Sequence, residues 1–340
     1  MLLALAACVN TPVLPGDTGH TGAPEDGAQG EAIVVGSLNL HCLKLDGFER
    51  VEQRLEAVAE LLEGADVVAL QEVCVSEQHD ALVLLEEALE ASTGEDWHGA
   101  WTLTHVAWEG TEDEADEGVA LLARQELGSV EERTHAAQTG LTRVMLSAEL
   151  EGLRVSSVHF DHQDAAVRLL QAREAGMDAL LQGGLLVGDF NASPHEPAMQ
   201  SLFDAGFVDL SEGLDEGRID HVLAHRGEGW SVRSAELIEG VSDHPLVLVE
   251  LERGEAVELS RTRMVAQSSQ GWLSVRGDRS PLDWEAGWPG IETSPGVWEA
   301  VFTELEGSLE YKWLVRDSTW QSGENSTAEG GSTSQTSPVF

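Results

Sequence analysis

The stretch that most constrains this chain is LLVGDFNASP, Leu185 to Pro194. Its apolar start reads as a buried strand, which delivers Gly188, Asp189, Phe190 and Asn191 at its end. Side chains alternate along an extended chain, so Asp189 and Asn191 share one side and Phe190 takes the other. A carboxylate that only accepts hydrogen bonds and an amide that can donate them therefore meet where the strand leaves the sheet. That pairing suits chemistry that must hold a nucleophilic water and a developing negative charge together. Taken alone, the same residues also make an ordinary Asx-type turn, since Asp, Asn, Ser and Pro all favour turns.

The rest of the chain repeats the pattern. Glu31 to Cys42, EAIVVGSLNLHC, is a β-branched run carrying Asn39 and His41 at its end. A helix follows from about Gly47 to Glu63, with Val51, Leu55, Val58, Leu61 and Leu62 at helical spacing, and Gly64 closes it. Asp66 to Cys74, DVVALQEVC, is a second buried strand ending in Gln71 and Glu72, and a second helix is expected over Gln78 to Ala91. Ser92 to Asp116 looks irregular and holds Trp97, Trp101 and Trp108; it reads either as a rim loop around a cleft or as indoles packed in a core. Strands are expected at Glu117 to Arg124, Thr142 to Glu151 and Leu153 to Phe160, the last delivering His159, and a helix over Asp164 to Leu181. A helix near Glu196 to Ala205 then leads to RIDHVLAH, beginning at Arg218, and to Val241 to Leu251, VSDHPLVLVEL. Apolar strands whose last residues are Asn, Glu, His or Asp would present polar groups toward one side. The expected body is a four-layer α/β/β/α sandwich of two packed mixed sheets with outer helices.

The length of 340 residues suggests two domains. Acidic residues number 61 against 19 basic ones, a formal net charge of -42. Such a surface repels polyanions and lacks the lysines and arginines on which nucleic-acid affinity mostly rests. Solubility or adaptation to salt accounts for the same charge. No apolar stretch reaches the roughly 18 residues that a spanning helix needs. The opening run MLLALAAC places Cys8 after Leu5-Ala6-Ala7, like a bacterial lipobox, although the apolar run is short and has no Lys or Arg before it. The run is therefore an unexported apolar end or the remainder of a signal whose start lies upstream. The expectation is export, as an outer-membrane or cell-surface lipoprotein or a secreted protein. Membrane contact would come only through a lipid on Cys8, with Thr11 to Gly30 as a flexible tether.

With these blocks in view, the chain resembles the endonuclease/exonuclease/phosphatase superfamily of metal-dependent phosphoesterases. SLNLHC, ALQEV, EGVALLAR, SVHF, RLLQ, GDFN, RIDHVL and SDHP occur in family order between about Ala32 and Glu252. The resemblance implies that Glu72 is the principal Mg²⁺ ligand, with Asn39 and Asp243 on the metal side and Mn²⁺ or Ca²⁺ as substitutes. It implies that His159 contacts the scissile phosphate and that Glu117 holds that imidazole. Asp189 would orient or deprotonate the attacking water, Asn191 would steady the phosphate, and His244 would be the second phosphate-facing imidazole, paired with Asp220. The residue chemistry is consistent, because a hard cation prefers one or two carboxylates plus waters, and a carboxylate-paired histidine gains a raised pKa. Whether Asp189 or a histidine is the base stays open at this stage. Arg168 and Gln171 are expected to brace their helix, and Asp161 and His162 receive no step. Cys42 and Cys74 follow Asn39 and Glu72 by three and two residues. If those two residues share a metal, the cysteines lie close, as a disulfide in an exported protein or as buried free thiols.

After Arg253 the pattern changes to short Trp-rich strands with Gly and Pro turns. LSVRGD, GVWEAVF, EYKWLV and TWQSGEN resemble the starch-binding domains of carbohydrate-binding module family 20. That resemblance implies a sugar platform on Trp284, Lys312 and Trp320 with Asn325 as a hydrogen-bond partner, since flat indole faces stack on glucose rings. A β-sandwich kept only for packing or protein contact is the other reading. The layout expected is a signal end (1–8), a linker (9–31), the catalytic domain (32–252), a linker (253–262) and a small all-β sandwich with a disordered end (263–340). The function expected is an exported, Mg²⁺-dependent hydrolase, monomeric, acting on a phospholipid head group, nucleotide or other small phosphoester. The charge, and Cys74 standing where pancreatic-type deoxyribonucleases carry a minor-groove arginine, disfavour nucleic acid. An extracellular endonuclease and a catalytically silent glycan-binding lipoprotein are the alternatives.

Overall fold

The computed structural model describes residues 32–43, 51–77 and 79–340. The signal end with Cys8, the tether (9–31) and the expected start of the first helix before Val51 lie outside them. In chain order the body runs β1 (Ala32–Asn39), α1 (Val51–Leu62), β2 (Val67–Val75), α2 (Ala81–Thr93), β3 (His98–Ala107), β4 (Ala115–Ala123), β5 (Glu131–Thr134), β6 (Val144–Leu150), β7 (Leu153–His159) and α3 (Ala165–Gln182). It continues with β8 (Leu185–Asp189), α4 (Pro197–Asp204), β9 (Phe207–Asp209), β10 (Asp220–His225), β11 (Trp230–Ile238) and β12 (Leu246–Arg253).

These strands form two six-stranded sheets, ordered β11-β12-β1-β2-β4-β3 and β5-β6-β7-β8-β10-β9. Both mix parallel and antiparallel pairs: β1 runs parallel to β2 and β7 parallel to β8, while β12 and β10 return antiparallel. The inner faces meet through Val35, Val67, Ala69, Val119 and Leu121 on one side and Leu146, Val155, Leu185, Val187 and Val222 on the other. The outer face of the first sheet is closed by Leu55, Val58 and Leu62 of α1 and Leu82, Leu85 and Leu89 of α2. Strands covered on both faces read as continuous apolar runs, which is why β2 and β8 are so plain in the sequence. Asp80 caps α2 by accepting from the Leu82 and Val83 amides, and Gly94, at φ 72°, ends it in the left-handed conformation. This is the four-layer body that the sequence predicts.

Two differences have a common cause. Ser92 to Asp116, expected to be irregular, supplies β3, an edge strand paired with β4. Trp97 is buried under α2, and Trp101 donates to the Val73 carbonyl at 3.0 Å, so both indoles pack, whereas Trp108 is exposed beyond the strand end. At the opposite edge of the same sheet, β11 also pairs where no strand was expected. Each carries a register shift, between Leu103 and His105 and between Val232 and Ser234. A bulge inserts a residue and breaks the two-residue alternation by which a strand is recognised.

The C-terminal part contains β13 (Arg261–Gln267), β14 (Leu273–Gly277), β15 (Trp288–Pro289), β16 (Ile291–Ser294), β17 (Val297–Thr303), β18 (Ser308–Val315), β19 (Thr319–Trp320), β20 (Ser326–Glu329) and β21 (Thr333–Thr336). One sheet has the order β16-β17-β13-β21; the other has β15-β14-β18-β19, with β20 also on β18. The end expected to be disordered thus supplies β21, which pairs parallel with β13. Met264, Phe302, Tyr311, Trp288 and Trp313 fill the core, which continues through α3 into the second sheet of the body. α3 is therefore not an outer helix. It is buried almost all round, and its charged residues are paired: Arg173 with Asp283 at 2.9 Å, Glu174 with His135 at 3.1 Å, and Asp178 with Arg133 at 3.0 Å. A buried charge is tolerated when it is paired. Residues 31–340 make one compact unit.

Candidate active site

Sheet register assembles one half of the site. In the second sheet His159 lies opposite Asp189 across β7 and β8, and Asp189 lies opposite Asp220 across β8 and β10. Cross-strand neighbours project from the same face, so imidazole, carboxylate and carboxylate stand in a row. Gly188 permits the close approach: at φ 146°, a Cβ there would lie 2.1 Å from the Val158 carbonyl oxygen. Phe190, on the opposite side, packs edge-on against Phe160 with centroids 5.0 Å apart and against His221 at 5.4 Å.

The first sheet supplies the other half. A register shift in β2 between Leu70 and Val73 and a left-handed Glu72 (φ 48°) turn the Glu72 carboxylate toward the pocket. Bulges re-aim side chains in this way, and backbone strain of this kind gathers at functional sites. Asn39 donates from Nδ2 to Glu72 Oε1 at 3.0 Å and to Asp189 Oδ2 at 3.3 Å, joining the two sheets. Its Oδ1 accepts the His41 amide at 2.9 Å. Asn39, expected on the metal side, positions two carboxylates through its Nδ2. His41 Nδ1 sits 3.4 Å from Glu72 Oε2 and 3.4 Å from Asp243 Oδ2. Ser242 ties the Asp243–His244 loop to β1 by donating to the Asn39 carbonyl at 2.6 Å.

Two imidazoles face Asp189, and the partner of each decides its protonation. Arg143 Nη1 is 2.9 Å from His159 Nδ1. A guanidinium can only donate, so Nδ1 is the acceptor and the ring proton is on Nε2, 3.5 Å from Asp189 Oδ2. Burial and the Arg143 charge hold the His159 pKa well below its ordinary value, which keeps the ring neutral. His244 is the opposite case. Its Nδ1 is 2.8 Å from Asp220 Oδ2, and despite burial the bond and charge of Asp220 raise its pKa to about 9. It is an imidazolium at neutral pH, with Nε2 3.9 Å from Asp189 Oδ2. Burial, reinforced by the charge of Asp220, pushes the Asp189 carboxyl up to about 7.

Two expected roles move. His159 is held by Arg143 and not by Glu117, whose Oε1 lies 3.6 Å from His105 Nε2 and whose Oε2 lies 4.0 Å from Cys42 Sγ. Burial, then the charge of Glu72, raises the Glu117 pKa to about 7. Asn191, expected to steady the phosphate, adopts φ 49°, donates its amide to Asp189 Oδ1 at 2.7 Å and pins its side chain to the Phe160 carbonyl at 3.0 Å. It fixes the loop and the carboxylate. Arg168 and Gln171 brace as expected, on the Asp161 carbonyl (2.7 Å) and the Asp161 amide (2.8 Å). Cys42 and Cys74 are joined as a disulfide, their Cα atoms 4.9 Å apart. Arg143, His105 and the role of His41 were missed. His41 had a strand-end signal, whereas nothing local marks Arg143 or His105.

The donor set suits a hard divalent cation. Glu72 and Asp243 converge on one side of His41 as two partly open carboxylates, the number such an ion prefers alongside water. Asp189, Asp220 and His244 also bring ligand atoms within 4.8 Å of one another, but the His244–Asp220 hydrogen bond occupies the imidazolium and makes it a poor ligand.

In the C-terminal part, Trp284 and Trp320 come together as expected, ring centroids 6.1 Å apart at 38°, exposed by 36% and 41%. Arg276 stacks over Trp320 at 5.3 Å. Lys312 is turned to the Gly323 carbonyl (2.8 Å), and Asn325 to Glu310 (2.7 Å), so both expected polar partners are engaged within the domain.

Residues 36–244 match the sequence pattern described as the Endonuclease/Exonuclease/phosphatase family. No curated protein matches the sequence. Among solved structures, the chain is similar to an endonuclease/exonuclease/phosphatase from Beutenbergia cavernae DSM 12333, at 17% identity and TM-score 0.56, covering 88% of this chain and 99% of that one. That span extends past the two-sheet body into the C-terminal strands. Two others cover less of the chain: a family protein from Leptotrichia buccalis C-1013-b (18% identity, TM-score 0.49, 65% of this chain and 99% of that one) and the 3′ phosphatase NExo from Neisseria bound to product DNA hairpin (20%, 0.45, 64% and 98%).

Proposed function

This chain belongs to the endonuclease/exonuclease/phosphatase family, hydrolases of phosphoester bonds, and on that premise we propose that it cleaves phosphodiesters with a divalent cation, Mg²⁺ first, and with Asp189 as the general base. One observation carries the assignment of the base. Neither imidazole offers a lone pair to the pocket: His159 accepts at Nδ1 from Arg143, and His244 is protonated against Asp220. Asp189, raised to about 7, is left as the group poised to take a proton near neutrality.

Asp189 Oδ2 would receive the proton of a water aligned with the phosphorus. The Nε2 atoms of His159 and His244 lie 3.5 and 3.9 Å from that oxygen, so their protons make no strong bond to it and are available to the non-bridging oxygens, where charge accumulates. Asn39 holds Asp189 and Glu72 at a fixed separation. Glu72 and Asp243 would hold the cation, which supplies Lewis-acid polarisation of a phosphoryl oxygen when bound.

The net charge of -42, with 19 basic residues, favours a phospholipid head group, nucleotide or other small phosphoester over long nucleic acid, although high salt would screen that repulsion. A second reading rests on the exposed Trp284–Trp320 pair, which favours a starch-like glycan as tether. Export and a lipid on Cys8 belong to the same proposal. The test is hydrolysis of bis(p-nitrophenyl) phosphate with Mg²⁺, with EDTA, and by Asp189→Ala. Activity lost in the latter two supports the enzyme, and equal inactivity of wild type and variant across plasmid DNA, RNA, sphingomyelin and phosphatidylcholine leaves only the glycan-binding role.

A further inference from the structure

Behind the catalytic pocket lies a second group of ligand atoms. The sulfurs of Cys42 and Cys74 and one carboxylate oxygen of Glu117 all lie within 4.8 Å of one another, each residue buried. His105 Nε2 stands 3.6 Å from the other Glu117 oxygen. The hydrogen bonds around His105 fix its tautomer. Thr104 Oγ1 donates to the Glu117 carbonyl at 2.8 Å, so toward His105 Nδ1, 3.1 Å away, it can only accept. Nδ1 therefore carries the proton and Nε2 presents a lone pair to a carboxylate. Two acceptors facing each other in a buried place repel unless a proton or cation stands between them. A metal-binding histidine is held in this way, its second nitrogen donating to a protein oxygen.

We propose that Cys42, Cys74, Glu117 and His105 form a redox-gated site for a thiophilic divalent cation, Zn²⁺ in the first place, distinct from the hard-cation site at Glu72 and Asp243. In the oxidised chain the disulfide denies the site its two best ligands. A dithiol reductant delivers two electrons to the sulfur–sulfur bond and closes to its own disulfide; the bond breaks and each sulfur takes up one proton. Zn²⁺ binding then releases those two protons to solvent, leaving two thiolates, a carboxylate and an imidazole. Four such ligands are the number that a closed tetrahedral zinc site uses, with edges of about 3.3–3.8 Å between ligand atoms. Glu117 Oε1 lies 3.6 Å from His105 Nε2 and Glu117 Oε2 lies 4.0 Å from Cys42 Sγ, so the carboxylate stands between the imidazole and the sulfurs. To close the site the two sulfurs must part and the carboxylate must turn one oxygen toward both sides. Thiolates select Zn²⁺ over Mg²⁺, so the two sites sort the two kinds of cation.

The test uses the full chain carrying Cys8→Ser, so that only Cys42 and Cys74 can supply thiolate. After reduction with dithiothreitol and anaerobic desalting, Co²⁺ should produce a sulfur-to-cobalt charge-transfer band and intense tetrahedral visible bands, saturating at one ion per chain and abolished by Zn²⁺. The unreduced protein and Cys42→Ser/Cys74→Ser should lack them. Glu117→Gln and His105→Ala keep both thiols and should each weaken Zn²⁺ retention against a chromophoric chelator by roughly tenfold or more. They decide the matter if the double serine variant does not fold. Absence of the band from reduced protein with an unchanged far-UV circular dichroism spectrum overturns the proposal. So does Zn²⁺ affinity that is unaltered in both Glu117→Gln and His105→Ala.

Discussion

The catalytic pocket and the tryptophan face of the C-terminal sheets solve opposite problems. In the pocket Asp189, Asp220 and His159 are almost fully buried, and burial and neighbours move the pKa values of Asp189 and His244 in the same direction for opposite reasons. On the aromatic face Trp284 and Trp320 are open to solvent, with the Arg276 guanidinium stacked over Trp320. Chemistry at phosphorus needs charges fixed before the substrate arrives, whereas recognition of a sugar face needs only flat apolar surface left uncovered. The two regions should therefore respond independently to mutation.

The largest break expected is Asp189→Asn. It should lower kcat/KM on bis(p-nitrophenyl) phosphate by about 10³-fold or more, while retardation of the protein in starch-containing native gels stays as in wild type. Next comes Arg143→Met. Without its donor, His159 is free to take either tautomer, and its pKa returns toward the ordinary value as one of its depressing charges is removed. A loss of roughly 10²-fold in kcat, with a new ionisation in the pH profile, is expected. If the tryptophan face holds a starch-like glycan as proposed, Trp320→Ala should weaken starch retention by a few-fold, in line with a stacking contribution of about 0.5–1.5 kcal/mol, and leave kcat/KM unchanged. Loss of activity in that variant would couple the two regions.

The smallest effects concern pH and stability. kcat/KM should rise as Asp189 ionises near 7 and fall as His244 loses its proton near 9. For stability the signs differ. Asp189, near 7 in the fold against an ordinary 3.8, makes the folded chain hold the extra proton between those values, so stability declines as pH rises through that window. His244, near 9 against 6.5, contributes stability that is fully present below 6.5 and lost as pH rises through 9. Asp189→Asn should accordingly be more stable than wild type by roughly 1 kcal/mol at pH 8, read by urea denaturation, while it is inactive.

What could be read in the sequence follows the same division. Asn39, Glu72, His159 and Asp189 end or follow an apolar run, whereas Asp220 and His244 stand just before one, at the start of β10 and ahead of β12; a strand buried on both faces announces itself and whatever it carries at its ends. Arg143 precedes its strand in no marked context, and only the fold sets it against His159. Glu117 was given another partner because its place at the start of an expected strand says nothing of which imidazole lies across the sheet; its neighbour is His105, on the bulged edge strand β3 that alternation could not reveal. α3 read as an outer helix because it carries Arg173, Glu174 and Asp178. Their partners, Asp283, His135 and Arg133, are remote in sequence, and so was the sheet pair that covers the helix. Trp284 and Trp320 were visible as aromatic residues in a Trp-rich tail, whereas the inward turn of Lys312 and Asn325 was not.

The central claim is that both imidazoles of the pocket act as donors and leave the proton transfer to Asp189. Nitrogen-15 NMR of the full chain with labelled histidines, assigned through His159→Gln and His244→Gln, reads it directly. At pH 7 the account predicts a neutral His159 with its proton on Nε2 and a doubly protonated His244 that titrates near 9. A His159 ring with bare Nε2, or a neutral His244 at pH 7, would put an imidazole lone pair in the pocket and contradict the assignment of the base.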